Sequence, residues 1–190
     1  MEKSRILIGV IGSGSDPYST LSGPLGRWLA GKGFDLINGG GPGVMEATAK
    51  AFTEVEGRKG CVIGVIPAAH ACQTAPERSR YQSPEGYPNP HTDLTIRTHL
   101  PLSGARGKDV QSRNHIIVLS ADFIVALPGS AGTRSEIELA LEYKKPLVVV
   151  GPHGEWEEFS RRAAVVKTIE EAIPRLEQWI TTRTTGTRLA

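Results

Sequence analysis

The chain has 190 residues, of which 39% are hydrophobic and 22% charged, as in an ordinary water-soluble globular protein with one core. The net charge of +2 provides no basic field for nucleic acid, and no apolar segment approaches the roughly 18 residues of a membrane span. The N-terminus does not have the pattern of a signal peptide, and the cysteines and histidines show no metal-binding or redox spacing. We therefore expect a cytoplasmic protein with no nucleic-acid, membrane or metal partner.

The apolar runs are short, continuous and rich in Ile and Val, which is typical of parallel strands covered on both faces. Strands are predicted at 5–11, 34–37, 61–66, 93–97, 122–127, 146–150 and 164–166. Helical patterns alternate with them at 18–31, 43–56, 106–119, 133–144, 155–161 and 168–181. This alternation predicts one Rossmann-like, doubly wound α/β domain over residues 1–182, followed by a flexible tail at 183–190.

The segment 67–92 interrupts this pattern because it has no hydrophobic period and is rich in Pro, Ser and charged residues. A loop of this length in a compact domain is usually functional or disordered. Two interpretations stay open: a lid over a binding site, or a mobile excursion on the surface.

Three strands end in glycine-rich turns that lead into helices: IGSGSD at 11–16, NGGGPGVME at 38–46 and PGSAGT at 128–133. Ligands bind outside the carboxyl ends of the strands in an open α/β sheet, where glycines let backbone N–H groups approach an anion. Three such turns on one edge favour a phosphate-bearing ligand over simple tight turns. The candidate ligand-binding residues are Gly12, Ser13, Gly14, Gly40, Gly41, Gly43, Met45, Gly129, Ser130, Gly132 and Thr133.

The common phosphate-binding fingerprints are absent from these turns. The pair Gly12 and Gly14 is followed by Ser15, Asp16 and Pro17, so the G-x-G-x-x-G motif of dinucleotide-binding proteins fails. No G-x-x-x-x-G-K-[ST] loop occurs either. A mononucleotide remains as the ligand class.

Glu136 has two possible roles. The spacing Thr133-x-x-Glu136 is that of a helix capping box, in which the carboxylate only satisfies a backbone N–H group. Alternatively, Glu136 contacts the ligand. For Arg113, the alternative to a place in the site is an i,i+4 ion pair with Asp109 on a helix.

The motifs IGVIGSGSD, NGGGPGVMEATAKAF and SRNHIIVLSADFIVALPGSAGTRSEIELAL resemble the LOG family of the SLOG superfamily, over about residues 6 to 150. The family hallmark P-G-G-x-G-T-x-x-E is matched from Pro128 to Glu136 at all but one fixed position. The resemblance implies a nucleoside 5'-monophosphate phosphoribohydrolase, which cleaves the N-glycosidic bond to a free base and ribose 5-phosphate.

Roles follow from the resemblance, residue by residue. Gly129, Gly132 and Thr133 would hold the 5'-phosphate, Arg113 would position the substrate, and Glu136 would stabilise positive charge on the sugar. The family implies no metal or redox cofactor and a homodimer. The helix at 133–144 offers an apolar face for a second subunit, with Ile137, Leu139, Ala140 and Leu141.

The sequence departs from the hydrolases at a few positions. Asn114 and His115 follow the arginine, Ser130 replaces a glycine, and Glu46 stands where the hydrolases usually have glycine. A sister branch that includes molybdenum cofactor carrier proteins is more similar in the Arg113-Asn114 pair, the GVME motif and the stretch NPHTDLTIRT. The alternative function is therefore a non-catalytic protein that binds and carries a nucleotide or molybdenum cofactor.

Overall fold

A computed structural model describes residues 5–185, which form a seven-stranded parallel sheet with helices on both faces. The strands are β1 (Leu7–Ile11), β2 (Asp35–Asn38), β3 (Val62–Ile66), β4 (Leu94–Arg97), β5 (Phe123–Ala126), β6 (Leu147–Val150) and β7 (Ala164–Val166). The α-helices are α1 (Ser19–Gly31), α2 (Val44–Thr53), α3 (Ala75–Ser79), α4 (Asn114–Ser120), α5 (Ala131–Glu142) and α6 (Ile169–Thr185). Short 3₁₀ helices lie at Gly104–Arg106 and Glu157–Phe159.

The strand order is β4-β3-β2-β1-β5-β6-β7, so the doubly wound α/β prediction is confirmed. Alternate side chains of each strand point to opposite faces, which gives two buried layers. In β1, Ile8 packs in the layer that contains residues of α1, α2 and α6, whereas Ile11 packs in the layer of α4 and α5. The continuous apolar strands of the sequence are explained by this burial on both faces.

The sheet reverses its direction of growth between β1 and β5, and the three glycine turns lie at the carboxyl ends of β1, β2 and β5. Ser13 joins these turns through its backbone. Its N–H donates to the carbonyl of Pro128 at 2.9 Å, and its carbonyl accepts from the N–H of Val44 at 2.9 Å. The predicted convergence of the turns on one edge is therefore observed, at the point where open α/β sheets bind their ligands.

The predicted helix at 106–119 is wrong in its first half, because α4 begins only at Asn114. The preceding residues form a 3₁₀ turn and a loop that passes closely over α5. A Cβ atom on Gly107 would lie 2.2 Å from the Ser135 Oγ, so a side chain here would collide with α5. The predicted helix at 155–161 is likewise reduced to one 3₁₀ turn at Glu157–Phe159.

At the C-terminal end, α6 continues to Thr185. The first residues of the predicted tail at 183–190 are therefore helical, and residues 186–190 lie outside the described part of the chain.

The apolar face of α5 was predicted to contact a second subunit. Ile137, Leu139 and Ala140 are buried against their own sheet, and Leu141 packs beside them, so this face is occupied within the chain.

Candidate functional site

A cleft of about 230 Å³ lies at the carboxyl ends of β1, β2 and β5, where the three glycine turns meet. Eight of the residues predicted from the sequence line it: Gly12, Gly14, Met45, Arg113, Ser130, Gly132, Thr133 and Glu136. They come from the turn after β1, from α2, from the residue before α4 and from the start of α5. The fold thus brings the two charged candidates to the same cavity as the glycine turns.

The other five predicted residues, Ser13, Gly40, Gly41, Gly43 and Gly129, are not among the residues that line the cleft. The Ser13 hydroxyl accepts from the N–H groups of Ser15 and Asp16, at 3.2 and 2.9 Å, and so closes the first turn. Gly43 has a φ of 69°, and a Cβ there would lie 2.4 Å from the Ser13 carbonyl oxygen. The structure explains these residues by turn geometry and close packing. Their contact with a ligand stays a prediction.

The capping box between Thr133 and Glu136 does not form. Helix α5 begins at Ala131 with Ser130 before it, so Thr133 is already the third helical residue and cannot be the cap. The Thr133 hydroxyl is buried and has no hydrogen-bond partner. Glu136 therefore does not serve the helix terminus, and its carboxyl group faces the cleft instead.

Arg113 is the charged group that Glu136 meets. The Arg113 Nη1 and Glu136 Oε1 atoms are 3.7 Å apart, and the two residues are only 5% and 9% exposed. This separation is longer than a hydrogen bond. The same Nη1 donates to the side-chain oxygen of Asn114, while the Arg113 Nε is buried without a partner. The predicted alternative, a pair with Asp109, is wrong, since Asp109 pairs with Arg106 at 2.8 Å.

The electrostatic state of the pair is set by burial. Burial raises the pKa of Glu136 from 4.5 to about 7, and the Arg113 guanidinium opposes that rise. Near neutral pH, Glu136 therefore exchanges between a neutral and a charged form. A neutral carboxyl group can donate a hydrogen bond to a ligand oxygen, whereas the charged form can only accept.

Seven further residues of the cleft wall were not predicted as site residues: Val10, Ile11, Gly39, Tyr87, Ser103, Gly104 and Asn114. Gly39 precedes two glycines that were selected, and its lack of a side chain admits Arg113. A Cβ on Gly39 would lie 2.2 Å from the Arg113 Nη2. Ser103 and Gly104 lie just before the predicted helix at 106–119, in a stretch with no assigned element, and no motif marks Tyr87.

The segment 67–92 reaches the cleft through Tyr87. It contains the short helix α3, which is capped by a true capping box between Thr74 and Glu77. Asn89 attaches the segment to the second glycine turn. Its N–H donates to the carbonyl of Gly40 at 2.7 Å, and its side-chain amide donates to the carbonyl of Gly41 at 3.0 Å. Tyr87 thus lies on the wall of the cleft, where a residue of a lid would lie.

Residues 5–176 match the SLOG cluster4 family, which covers nearly all of the described chain. The chain belongs to the SLOG cluster4 family. The resemblance to the SLOG superfamily is thereby confirmed, and the branch is one whose structural relatives include molybdenum cofactor carriers.

Relatives of this SLOG cluster4 protein are known from sequence and from structure. An uncharacterised protein from Archaeoglobus fulgidus is 32% identical over 147 residues, which cover 76% of this chain and 80% of that protein. The molybdenum cofactor carrier protein from Chlamydomonas reinhardtii superposes with a TM-score of 0.70 at 26% identity, over 93% of this chain and 99% of the carrier. The molybdenum cofactor binding protein from Rippkaea orientalis gives 0.69 at 25% identity, over 94% and 99%.

Within 5–185, no group of three or more His, Cys, Asp or Glu side chains is arranged to hold a metal ion. None of the helices in that range is both long and apolar enough to cross a membrane.

Proposed function

We propose that this protein binds and carries a phosphate-bearing small molecule of the molybdenum cofactor or nucleotide class without cleaving it. The observation that carries the proposal is the buried, unpartnered hydroxyl of Thr133 in the first turn of α5, on the wall of the cleft. The first amide N–H groups of a helix also have no partner within it. A phosphate at this position would accept from both kinds of donor, in the field of the helix dipole.

Two observations favour carrying over cleavage. The solved structures that resemble this chain include two proteins described as a carrier and as a binding protein for molybdenum cofactor. In addition, cleavage of an N-glycosidic bond develops positive charge on the sugar, which a carboxylate stabilises. Burial raises the pKa of Glu136 to about 7, so only part of the Glu136 side chains carry that charge at neutral pH.

A second candidate is the nucleoside 5'-monophosphate phosphoribohydrolase, which the pairing of Arg113 with Glu136 favours. Both side chains lie at the cleft, as the hydrolase motif requires. In this reaction water would add to the sugar carbon as its bond to the base breaks. The products would be ribose 5-phosphate and the free base.

One experiment separates the two candidates. Purified protein is titrated by calorimetry with AMP, with GMP and with molybdenum cofactor released from a molybdenum enzyme, and the nucleotide mixtures are then analysed by chromatography for free base. For a carrier we expect binding of at least one ligand and no base release. Base release that disappears in Glu136→Gln would overturn the carrier and establish the hydrolase. Failure to bind any of the three ligands would contradict both.

Thr133→Val tests the proposed phosphate site, because it removes the hydroxyl and keeps the shape of the side chain. We expect binding to weaken about tenfold, the equivalent of one hydrogen bond to a charged group at about 1.5 kcal/mol. Thr48→Val is the matched control. The Thr48 hydroxyl is also buried without a partner, but it lies on α2 and does not line the cleft. Equal effects of the two substitutions would show that the Thr133 hydroxyl does not bind phosphate.

A further inference from the structure

Tyr87 is the aromatic side chain among the described residues that line the cleft. It lies on the second glycine turn, at the carboxyl end of β2. A Cβ on Gly41 would be 2.4 Å from the ring atom Cζ and 2.5 Å from the phenolic oxygen, so the ring rests directly on the glycine backbone. The ring is half-buried, and the two Asn89 hydrogen bonds fix the backbone close by. The absence of a side chain at Gly41 is what admits the ring to this place.

The cleft therefore has two chemically different ends. The end at β5 and α5 carries helix N–H groups, the Thr133 hydroxyl and Ser130, all of which suit an anion. The end at β2 carries the Tyr87 ring, with Gly39 and Met45, and the Arg113 guanidinium also reaches this side, against Gly39. Tyr87 is the one residue of the segment 67–92 that lines the cleft, so this segment adds no charged group at the β2 end.

The sheet sets the distance between the two ends. The strands run in the order β2-β1-β5, and neighbouring strands are about 4.8 Å apart. The turn after β2 and the turn before α5 are thus separated by two strand spacings, or about 10 Å. That distance suits one small molecule with a phosphate at one end and a planar heterocycle at the other.

We infer that Tyr87 is the stacking residue of this site, on which the planar heterocyclic ring of the ligand lies while its phosphate is held at the start of α5. This inference rests on the proposed binding of a phosphate-bearing ligand and assigns its ring to a defined place. Stacking on an aromatic face tolerates different rings, because every such ring has a π face. The residue thereby selects ring-bearing phosphates over simple sugar phosphates and does not read the identity of the ring.

The test compares two probes that share ribose and phosphate and differ in the ring: AMP and ribose 5-phosphate. Dissociation constants are measured by calorimetry for the natural chain, Tyr87→Phe, Tyr87→Ala and the control Tyr81→Ala. Tyr81 belongs to the same segment but does not line the cleft. We expect the natural chain and Tyr87→Phe to bind AMP more tightly than ribose 5-phosphate, by about tenfold or more. In Tyr87→Ala this preference should disappear, with ribose 5-phosphate binding unchanged.

The outcomes distinguish this inference from the proposed function. If both probes bind and Tyr87→Ala keeps the preference of the natural chain, the stacking role is overturned and the phosphate site stands. The same holds if the natural chain shows no preference for AMP, or if Tyr81→Ala loses it equally. If neither probe binds, the stacking role is overturned, whereas the proposed function fails only if GMP and molybdenum cofactor do not bind either. Tyr87→Phe retains the ring, so a loss of preference there would also contradict stacking.

Discussion

At the scale of single residues, burial gives Glu136 its unusual chemistry. A carboxyl group enclosed among apolar and backbone atoms loses hydration, which disfavours its charged form more than a single guanidinium 3.7 Å away favours it. The Arg113 guanidinium is shared between Glu136 and Asn114, and its Nε has no partner. The pair is therefore incompletely satisfied in the free protein, which leaves hydrogen-bonding capacity for a ligand.

The raised pKa of Glu136 predicts a pH dependence of stability. The pKa is about 7 in the folded chain and 4.5 in a free glutamate, so the folded state binds the proton more tightly. This contribution to stability is fully present below about pH 4.5 and is lost as the pH rises through 7. Between pH 5 and pH 8, the free energy of unfolding should fall in the natural chain by about 2–3 kcal/mol more than in Glu136→Gln.

Urea unfolding at several pH values measures this difference. Glu157→Gln is the control, because Glu157 is exposed and its removal should leave the pH profile unchanged. A profile in Glu136→Gln that parallels the natural chain would show that Glu136 titrates normally in the folded state.

At the scale of elements, the glycine turns act as one unit joined through Ser13. Gly43→Ala should disrupt this unit, because its φ of 69° disfavours a side chain and the new Cβ would lie 2.4 Å from the Ser13 carbonyl oxygen. We expect a loss of about 2 kcal/mol or more in the free energy of unfolding.

Gly31→Ala is the matched control for that substitution. Gly31 lies in the last turn of α1 with no atom within 4 Å of its Cβ position, so alanine should stabilise the protein by about 0.5–1 kcal/mol. Thermal unfolding of both variants checks the contrast. Equal effects at the two positions would contradict the role of Gly43 in closing the turns.

The segment 67–92 is a second element whose behaviour follows from its contacts. Asn89 is buried, and besides its bonds to the second glycine turn its side-chain oxygen accepts from the N–H of His91 at 3.1 Å. Asn89→Ala should cost about 1–3 kcal/mol and should release Tyr87 from the cleft. Hydrogen exchange should then show faster exchange in this segment, whereas Gln82→Ala, at an exposed position, should leave it unchanged. Unaltered exchange in Asn89→Ala would show that other contacts hold the segment.

At the scale of the whole molecule, the edge strand β4 carries an exposed apolar face. Leu94 and Ile96 are 49% and 39% exposed and point to the same side of the sheet. Since the apolar face of α5 is occupied within the chain, the predicted homodimer must use other residues, and exposed apolar edges are suited to association. We expect sedimentation velocity to show a dimer that the double substitution Leu94→Glu and Ile96→Glu dissociates. Dissociation by Leu119→Glu alone would place the interface on α4 instead, and a monomeric natural chain would contradict the dimer.

The sequence by itself determined the order of the strands and of every α-helix except α3, and the edge of the sheet where the cleft lies. Short apolar runs that alternate with helical patterns place each strand within two residues of its observed bounds, because burial on both faces of a parallel sheet demands such runs. The glycine turns marked the carboxyl ends of β1, β2 and β5. Arg113 and Glu136 were assigned to the site through the resemblance to a family, since their spacing alone also fits an ion pair with Asp109 and a capping box.

The tertiary structure decided everything that depends on contacts between distant parts of the chain. The start of α5 at Ala131 removes the capping box, and the loop that precedes α4 brings Arg113 opposite Glu136. Tyr87 lies at the cleft beside Asn89, which binds the turn after β2 through a contact that spans 48 residues of sequence. Such long-range contacts leave no local periodicity or motif. The pKa of Glu136 has the same origin, because burial by distant segments cannot be inferred from neighbours along the chain.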